Sequence, residues 1–153
     1  MSYSFTGINI APGTETLTIS TFYNEADGGP PDLAQRFTDS MRDYFQQNTN
    51  LSVVDEDGDL QFEGAVSGFR LSPVSPQAAN REQANIAAQT RLTISVNVVY
   101  SNTDDPDSDF TRSFSFYSDF DNDTPLESVE DDLIEEIYET IILNIFNASV
   151  ANW

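Results

Sequence analysis

The stretch RLTISVNVVYS at residues 91–101 constrains the chain most. Leu92, Ile94, Val96, Val98 and Tyr100 alternate with Thr93, Ser95, Asn97, Val99 and Ser101, the period-2 pattern of a half-buried β-strand. One side of such a strand is dry, and something apolar must cover it. After the turn residues Thr103-Asp104-Asp105-Pro106-Asp107-Ser108, a second run places Phe110, Phe114 and Phe116 against Thr111, Ser113, Ser115 and Tyr117. Two runs separated by such a turn predict a hairpin with one apolar face.

Two amphipathic helices are available as the cover. Gly28-Gly29-Pro30-Pro31 is a break, and Asp32 followed by Gln35 reads as an N-cap with a reciprocal partner. Leu33, Phe37, Met41, Tyr44 and Phe45 then fall on one helical face, ending near Gln47. A second helix is predicted after Thr124 as cap, Pro125 at the first helical position and Glu127 at the capping-box position. Its apolar stripe is Val129, Leu133, Ile134, Ile137, Ile141, Ile142, Ile145 and Phe146. Glu130, Asp131, Asp132, Glu135 and Glu136 crowd its early turns, where the helix dipole favours negative charge.

The remaining segments supply more strand. ETLTISTFY at 15–23 alternates, with Leu17, Ile19 and Thr21 on one side and Thr16, Thr18, Ser20 and Phe22 on the other. Leu51-Ser52-Val53-Val54 runs into Asp55-Glu56-Asp57-Gly58-Asp59, where Gly58 is suited to a positive φ, and a hairpin to the strand starting at Leu60 is expected. In that strand Leu60, Phe62, Gly64 and Val66 share a side before the apolar phase slips to Phe69 and Leu71, so a bulge is expected near Gly64 and Gly68. Residues 72–88 read as a long polar loop between antiparallel strands. The expected fold is α+β: one domain over residues 1–153, with two helices packed on one face of a mostly antiparallel sheet of about four strands.

Composition narrows the function. The chain has 26 acidic and 6 basic residues, a net charge of −20, and neither cysteine nor histidine. Every basic residue is arginine. This charge excludes a nucleic-acid binder, which needs a basic stripe against phosphate. Without thiols or imidazoles there are no disulfides, thiolate nucleophiles or Cys/His zinc sites. The acidic excess also resembles high-salt proteins, whose carboxylates keep the surface hydrated while salt screens their repulsion. No apolar run reaches the about 20 residues of a spanning helix.

No phosphate-binding glycine loop or nucleophile elbow is present, and the carboxylates lie mostly in turns and on helix faces, so no enzyme activity and no cofactor are expected. Residues 119–130 do offer Asp119, Asp121, Asp123, Glu127 and Glu130 at calcium-loop positions 1, 3, 5, 9 and 12. Thr124 stands where the sharp turn wants glycine, however, and a capped acidic turn is the preferred reading. The scarce arginines carry the other candidate site. Arg70, Arg91 and Arg112 each fall on a predicted strand, where pairing across the sheet would gather them into a phosphate or carboxylate site; the plainer alternative gives each a carboxylate partner. Phe37, Phe45, Phe62 and Phe116 read as core, while Trp153 is expected to pack back or meet a partner.

Taken in order, Tyr3-Ser4-Phe5-Thr6-Gly7, Asp59-Leu60-Gln61-Phe62-Glu63-Gly64, Arg91-Leu92-Thr93-Ile94, and the run from Ser128-Val129-Glu130-Asp131-Asp132-Leu133 to Asn152-Trp153 resemble the LptE lipoproteins of Bacteroidetes-type bacteria. The resemblance covers nearly the whole chain. It implies an outer-membrane lipoprotein that plugs and partners the β-barrel LptD and helps deliver lipopolysaccharide to the outer leaflet, with two helices on a four-stranded sheet. It also implies a signal peptide and an acylated cysteine ahead of Tyr3, so that membrane attachment comes through a lipid this chain does not carry. Where better-known members use basic residues toward lipopolysaccharide, this chain has no lysine. Direct binding would fall to Arg70, Arg91 and Arg112 or to divalent cations bridging phosphates and carboxylates. A calcium-dependent binding module outside the cell or in the periplasm is the alternative to this assembly role.

Overall fold

The computed structural model describes residues 12–74 and 88–151. The expected features at Tyr3 to Gly7, at Trp153 and over residues 75–87 lie outside the described residues. The elements in order are β1 (Thr16–Ile19), β2 (Tyr23–Asn24), α1 (Leu33–Asn48), β3 (Ser52–Val53), β4 (Leu60–Val74), β5 (Gln89–Asn102), β6 (Phe110–Asp121) and α2 (Leu126–Ser149). A 3-10 turn at Pro106–Ser108 links β5 to β6.

The antiparallel part follows the alternation. β4 pairs with β5 from Leu60↔Asn102 to Val74↔Gln89, and β5 with β6 from Tyr100↔Phe110 to Gln89↔Asp121. Ser72, Pro73 and Val74 therefore belong to β4, not to the connecting loop. The register shifts between Val66 and Gly68, a bulge at the place where the apolar phase slips, and it keeps Phe69 and Leu71 on the same face as Leu60 and Phe62.

The other half departs from expectation. Among the described residues the sheet is mixed and six-stranded, in the order β3-β1-β4-β5-β6 with β2 also on β4, rather than mostly antiparallel and four-stranded. β3 does not form a hairpin with β4; β1 lies between them, parallel to both through Leu17↔Val53 and Leu17↔Leu60. The reason is connectivity. A strand, a 16-residue helix and a second strand make a βαβ crossover, and a crossover delivers a parallel neighbour.

The segment between β3 and β4 folds back over β1 instead of making a tight hairpin. Asp57, not Gly58, takes the positive φ, at 57°. Gly58 is needed for close approach: a Cβ there would sit 2.6 Å from the Thr18 backbone nitrogen. Its own N–H donates to Thr18 Oγ1 at 2.8 Å.

The 15–23 run is also split. The Ser20 N–H donates to the Phe62 carbonyl (3.0 Å), and pairing resumes only at Tyr23↔Ala65. The break reverses the phase, so Phe22 is buried and Thr21 exposed. Phe22 occupies the space left by Gly64 (φ 156°), whose missing Cβ would also collide with the Asn97 carbonyl oxygen.

Both helices lie on one face of the sheet. Leu17, Ile19, Leu60, Phe62, Val66, Leu92, Ile94, Val96, Val98 and Tyr100 form one buried cluster with Leu33, Phe37, Met41 and Phe45 of α1 and Leu133, Ile134, Ile137, Ile141, Ile142, Ile145 and Phe146 of α2. Full burial of each such side chain contributes about 1.5–3 kcal/mol. Phe116, read as core, is only half-buried. The aromatic members meet edge to face, as Phe37 does with Tyr138 (centroids 5.0 Å apart), or stacked, as Phe62 does with Tyr100 (4.8 Å). Neither expected side-chain cap forms: α1 begins after Asp32 and α2 after Pro125 without a side-chain cap hydrogen bond, and Gln35 donates to Asp39 one turn on.

Candidate functional site

The register fixes where the three strand arginines stand. Arg70 pairs with Thr93, and Arg91 lies opposite Ser72 on one side and Asp119 on the other. Side chains alternate across a strand, so Arg70 and Arg91 share the face away from the helices as diagonal neighbours. Arg112 lies opposite Val98, a buried position, and so belongs to the helix-facing side. The strands bring two of the three arginines together and put the third on the opposite face.

Their surroundings differ too. Arg91 grips Asp119 with two hydrogen bonds, Nε to Oδ1 at 2.9 Å and Nη2 to Oδ2 at 3.1 Å, and its guanidinium lies 3.8 Å from the Tyr117 ring centroid. The Asp119 hydrogen bond, ahead of charge attraction, raises the Arg91 pKa further. Arg112 is exposed and lies over Phe110 at 4.9 Å and Phe114 at 5.6 Å, a cation–π arrangement. Arg70 is exposed. Among the described residues, Arg91 is the one of the three that forms an ion pair.

The carboxylates of residues 119–130 are spread along a strand end, a turn and a helix. Asp119 is held by Arg91, Asp121 accepts from Gln89 Nε2 at 3.4 Å, and Asp123 is in the turn. Glu127 and Glu130 are on the first turns of α2. Among the described residues no three carboxylates are grouped to hold a metal ion.

Two arginines that the sequence reading passed over have structural roles. Arg42 donates twice to the Ile19 carbonyl, from Nε at 3.1 Å and Nη2 at 2.7 Å, and ties α1 to the end of β1. Arg36 pairs with Asp131 at 3.0 Å across the two helices. Tyr138, also unmarked, donates its hydroxyl to the Leu33 carbonyl at 2.8 Å, and burial pushes its pKa well up. All three partners are distant in the sequence, so no local pattern marks them.

Asp59 closes the β1 side of the sheet. Its Oδ2 accepts from the Glu15 N–H at 2.9 Å and the Thr16 N–H at 3.2 Å, and these backbone hydrogen bonds hold its carboxyl below the ordinary range. At the opposite end of the sheet an open groove of about 420 Å³ lies between the starts of the two helices, lined by Pro30, Phe69, Leu71, Leu126 and Glu130. Among the described residues no helix is long and apolar enough to cross a membrane.

The sheet also has a helix-free face. On β5 it presents Thr93, Ser95, Asn97, Val99 and Ser101, and on β6 Thr111, Ser113, Ser115 and Tyr117, up to the Arg91–Asp119 pair. Between its ends it carries mostly hydroxyl and amide groups; its charged residues are Glu63 on β4 and, toward the far end, Arg70, Arg91 and Asp119.

This fold is shared with solved bacterial proteins, lipoproteins among them. PelC from Paraburkholderia phytofirmans, solved as a dodecamer, superposes with a TM-score of 0.54 at 8% identity, covering 96% of each chain. An uncharacterised lipoprotein B from Nitrosomonas europaea gives 0.54 at 10% identity, covering 95% of this chain and 88% of that one. A minor lipoprotein from Acinetobacter baumannii gives 0.51 at 10% identity, over 89% and 92%. At such identities the likeness is one of fold. No curated protein sequence matches the chain. The model of the family described as "LptE: Lipopolysaccharide-assembly" does match, over residues 14–149, which takes in every element from β1 to α2. The chain therefore belongs to the LptE lipopolysaccharide-assembly family.

Proposed function

We propose that this protein is a non-enzymatic lipopolysaccharide-assembly factor of the outer membrane, held at the periplasmic face by an N-terminal lipid and working as plug and partner of an LptD-type β-barrel. The observation that carries this reading is the family match over residues 14–149. The reading is supported by the packing, because the apolar stripes of both helices are buried inside the domain and the outward surface is mostly polar, with Tyr23, Leu71, Tyr117 and Leu143 as its large exposed apolar side chains. A polar body suits the polar interior of a large barrel.

Within this reading, the exposed Arg70 and Arg112 are offered to the phosphate groups of lipopolysaccharide. Arg91 is the third candidate, but it has to exchange Asp119 for phosphate first. The test is co-purification of the tagged, lipidated protein from detergent-solubilised envelopes of its source. A single LptD-type barrel at roughly equal stoichiometry is the expected result. Recovery of the folded protein alone would remove the assembly reading.

A further inference from the structure

The negative charge of this chain is unevenly spread. On α2, Glu127, Asp131, Asp132, Glu135, Glu136 and Glu139 are all exposed, and α1 adds Asp39 and Asp43. The turns at Asp55, Glu56 and Asp57 and at Asp104, Asp105 and Asp107 are acidic as well. By contrast, β5 carries no charged residue from Leu92 to Asn102, although 21% of the whole chain is charged. On β6 the one charged residue before Asp119 is Arg112, which belongs to the helix-facing side. The helix-free face is thus close to neutral. Its β4 row holds one carboxylate, Glu63, and one exposed arginine, Arg70, of opposite sign, and the Arg91–Asp119 pair cancels itself at the far end.

We infer that this neutral face, centred on Ser95, Asn97, Ser113 and Ser115, is the surface that lies against the partner, and that the helical layer faces the open side. The inference rests on the barrel reading above and specifies which side of the domain meets the barrel wall. Burying exposed carboxylates without partners costs several kcal/mol for each ion, so a chain with net charge −20 can give up hydration cheaply only where carboxylates are absent. The chemistry of the face also selects the partner. Small hydroxyls and amides buried against an apolar surface lose hydrogen bonds at a cost of about 1–3 kcal/mol each. A wall that returns those bonds is required, and the lumenal side of a β-barrel, where polar residues alternate inward along each strand, has that character. Asn97, Thr111, Ser113 and Ser115 are exposed and ready for such contacts.

The test places a photo-crosslinking amino acid, p-benzoylphenylalanine, at Asn97 or Ser113 on the sheet face and at Asp132 or Glu135 on the helical face, in the full lipidated protein co-expressed with its barrel. Crosslinks to the barrel from Asn97 and Ser113, at least tenfold stronger than from Asp132 and Glu135, are expected. The double variant Asn97→Asp with Ser113→Asp should lower barrel recovery at least tenfold with an unchanged melting temperature, whereas Asn97→Gln with Ser113→Asn should retain it. Crosslinks mainly from the helical positions, homodimer crosslinks from Ser113, or full recovery of the barrel by the double Asp variant would each overturn the inference while the barrel reading stands. If the wild-type protein recovers no barrel, the reading fails and takes the inference with it.

Discussion

On β5, Leu92, Ile94, Val96, Val98 and Tyr100 lie beneath the helices at no more than 1% exposure, while Thr93, Ser95, Asn97, Val99 and Ser101, each one residue along, face away from them. The backbone is the same on both sides, so the difference comes from what each row of side chains meets. The covered row is fixed by area removed from water and by close packing, and the open row by the need to keep hydrogen bonds and avoid charge. One side should therefore be intolerant of substitution in the isolated domain, and the other tolerant until a partner arrives.

Phe62→Ala would test the covered side most severely. Its ring stacks on Tyr100 and leans on Phe45, and its loss should cost about 3–5 kcal/mol by chemical denaturation. A cost near that of an exposed residue would break the comparison.

Two glycines of β4 sharpen it. Gly64→Val should cost about 3 kcal/mol or more, because a side chain there strikes the Asn97 carbonyl and displaces Phe22. Gly68→Ala, just past the bulge, adds a Cβ 3.6 Å from Ser95, an ordinary contact. It should be neutral or stabilise by up to about 0.5 kcal/mol. Equal effects at the two sites would rule out close approach as the reason for Gly64.

A smaller effect belongs to acid. Because the folded protein holds the Asp59 carboxyl below its ordinary value of about 3.9, the stability it contributes is present above that value and is lost as pH falls through the lowered one. Melting temperature measured from neutral to about pH 2 should fall more for the wild type than for Asp59→Asn. Parallel curves would show that the two backbone hydrogen bonds of Asp59 carry no acid sensitivity.

The smallest effect is expected at Ser113→Ala, within about 0.5 kcal/mol in the isolated domain, since Ser113 is exposed on the open face. A loss above about 2 kcal/mol would mean that the open row is part of the folding core after all.

How much of this was legible depends on how far apart in sequence the interacting groups are. The β4–β5–β6 meander, the bulge and the two helical stripes follow from periodicity, because neighbours in space are neighbours in chain order. The placement of β1 between β3 and β4 joins Leu17 to both Val53 and Leu60. The order strand, helix, strand carried that signal, but tight turn chemistry at residues 55–59 suggested a hairpin instead. Phe22 turned inward because the strand broke before it, and a short alternating run cannot report its own interruption. Of the candidate site, the opposition of Arg91 and Asp119 needed the β5–β6 register. The separation of Arg112 from Arg70 needed the bulge as well, since one residue of register moves a side chain to the other face.

By itself, then, the sequence determined the two alternating strands, the two amphipathic helices and the surplus of carboxylates, all properties of local spacing and composition. The tertiary structure decided the parallel crossover, the split of β1 from β2, the grip of Arg91 on Asp119, and above all that the neutral rows of β4, β5 and β6 join into one open face. Those outcomes depend on which distant groups satisfy one another, and local propensity contains no information about a partner far away in the chain, 28 residues for Arg91 and Asp119 and 36 for Leu17 and Val53.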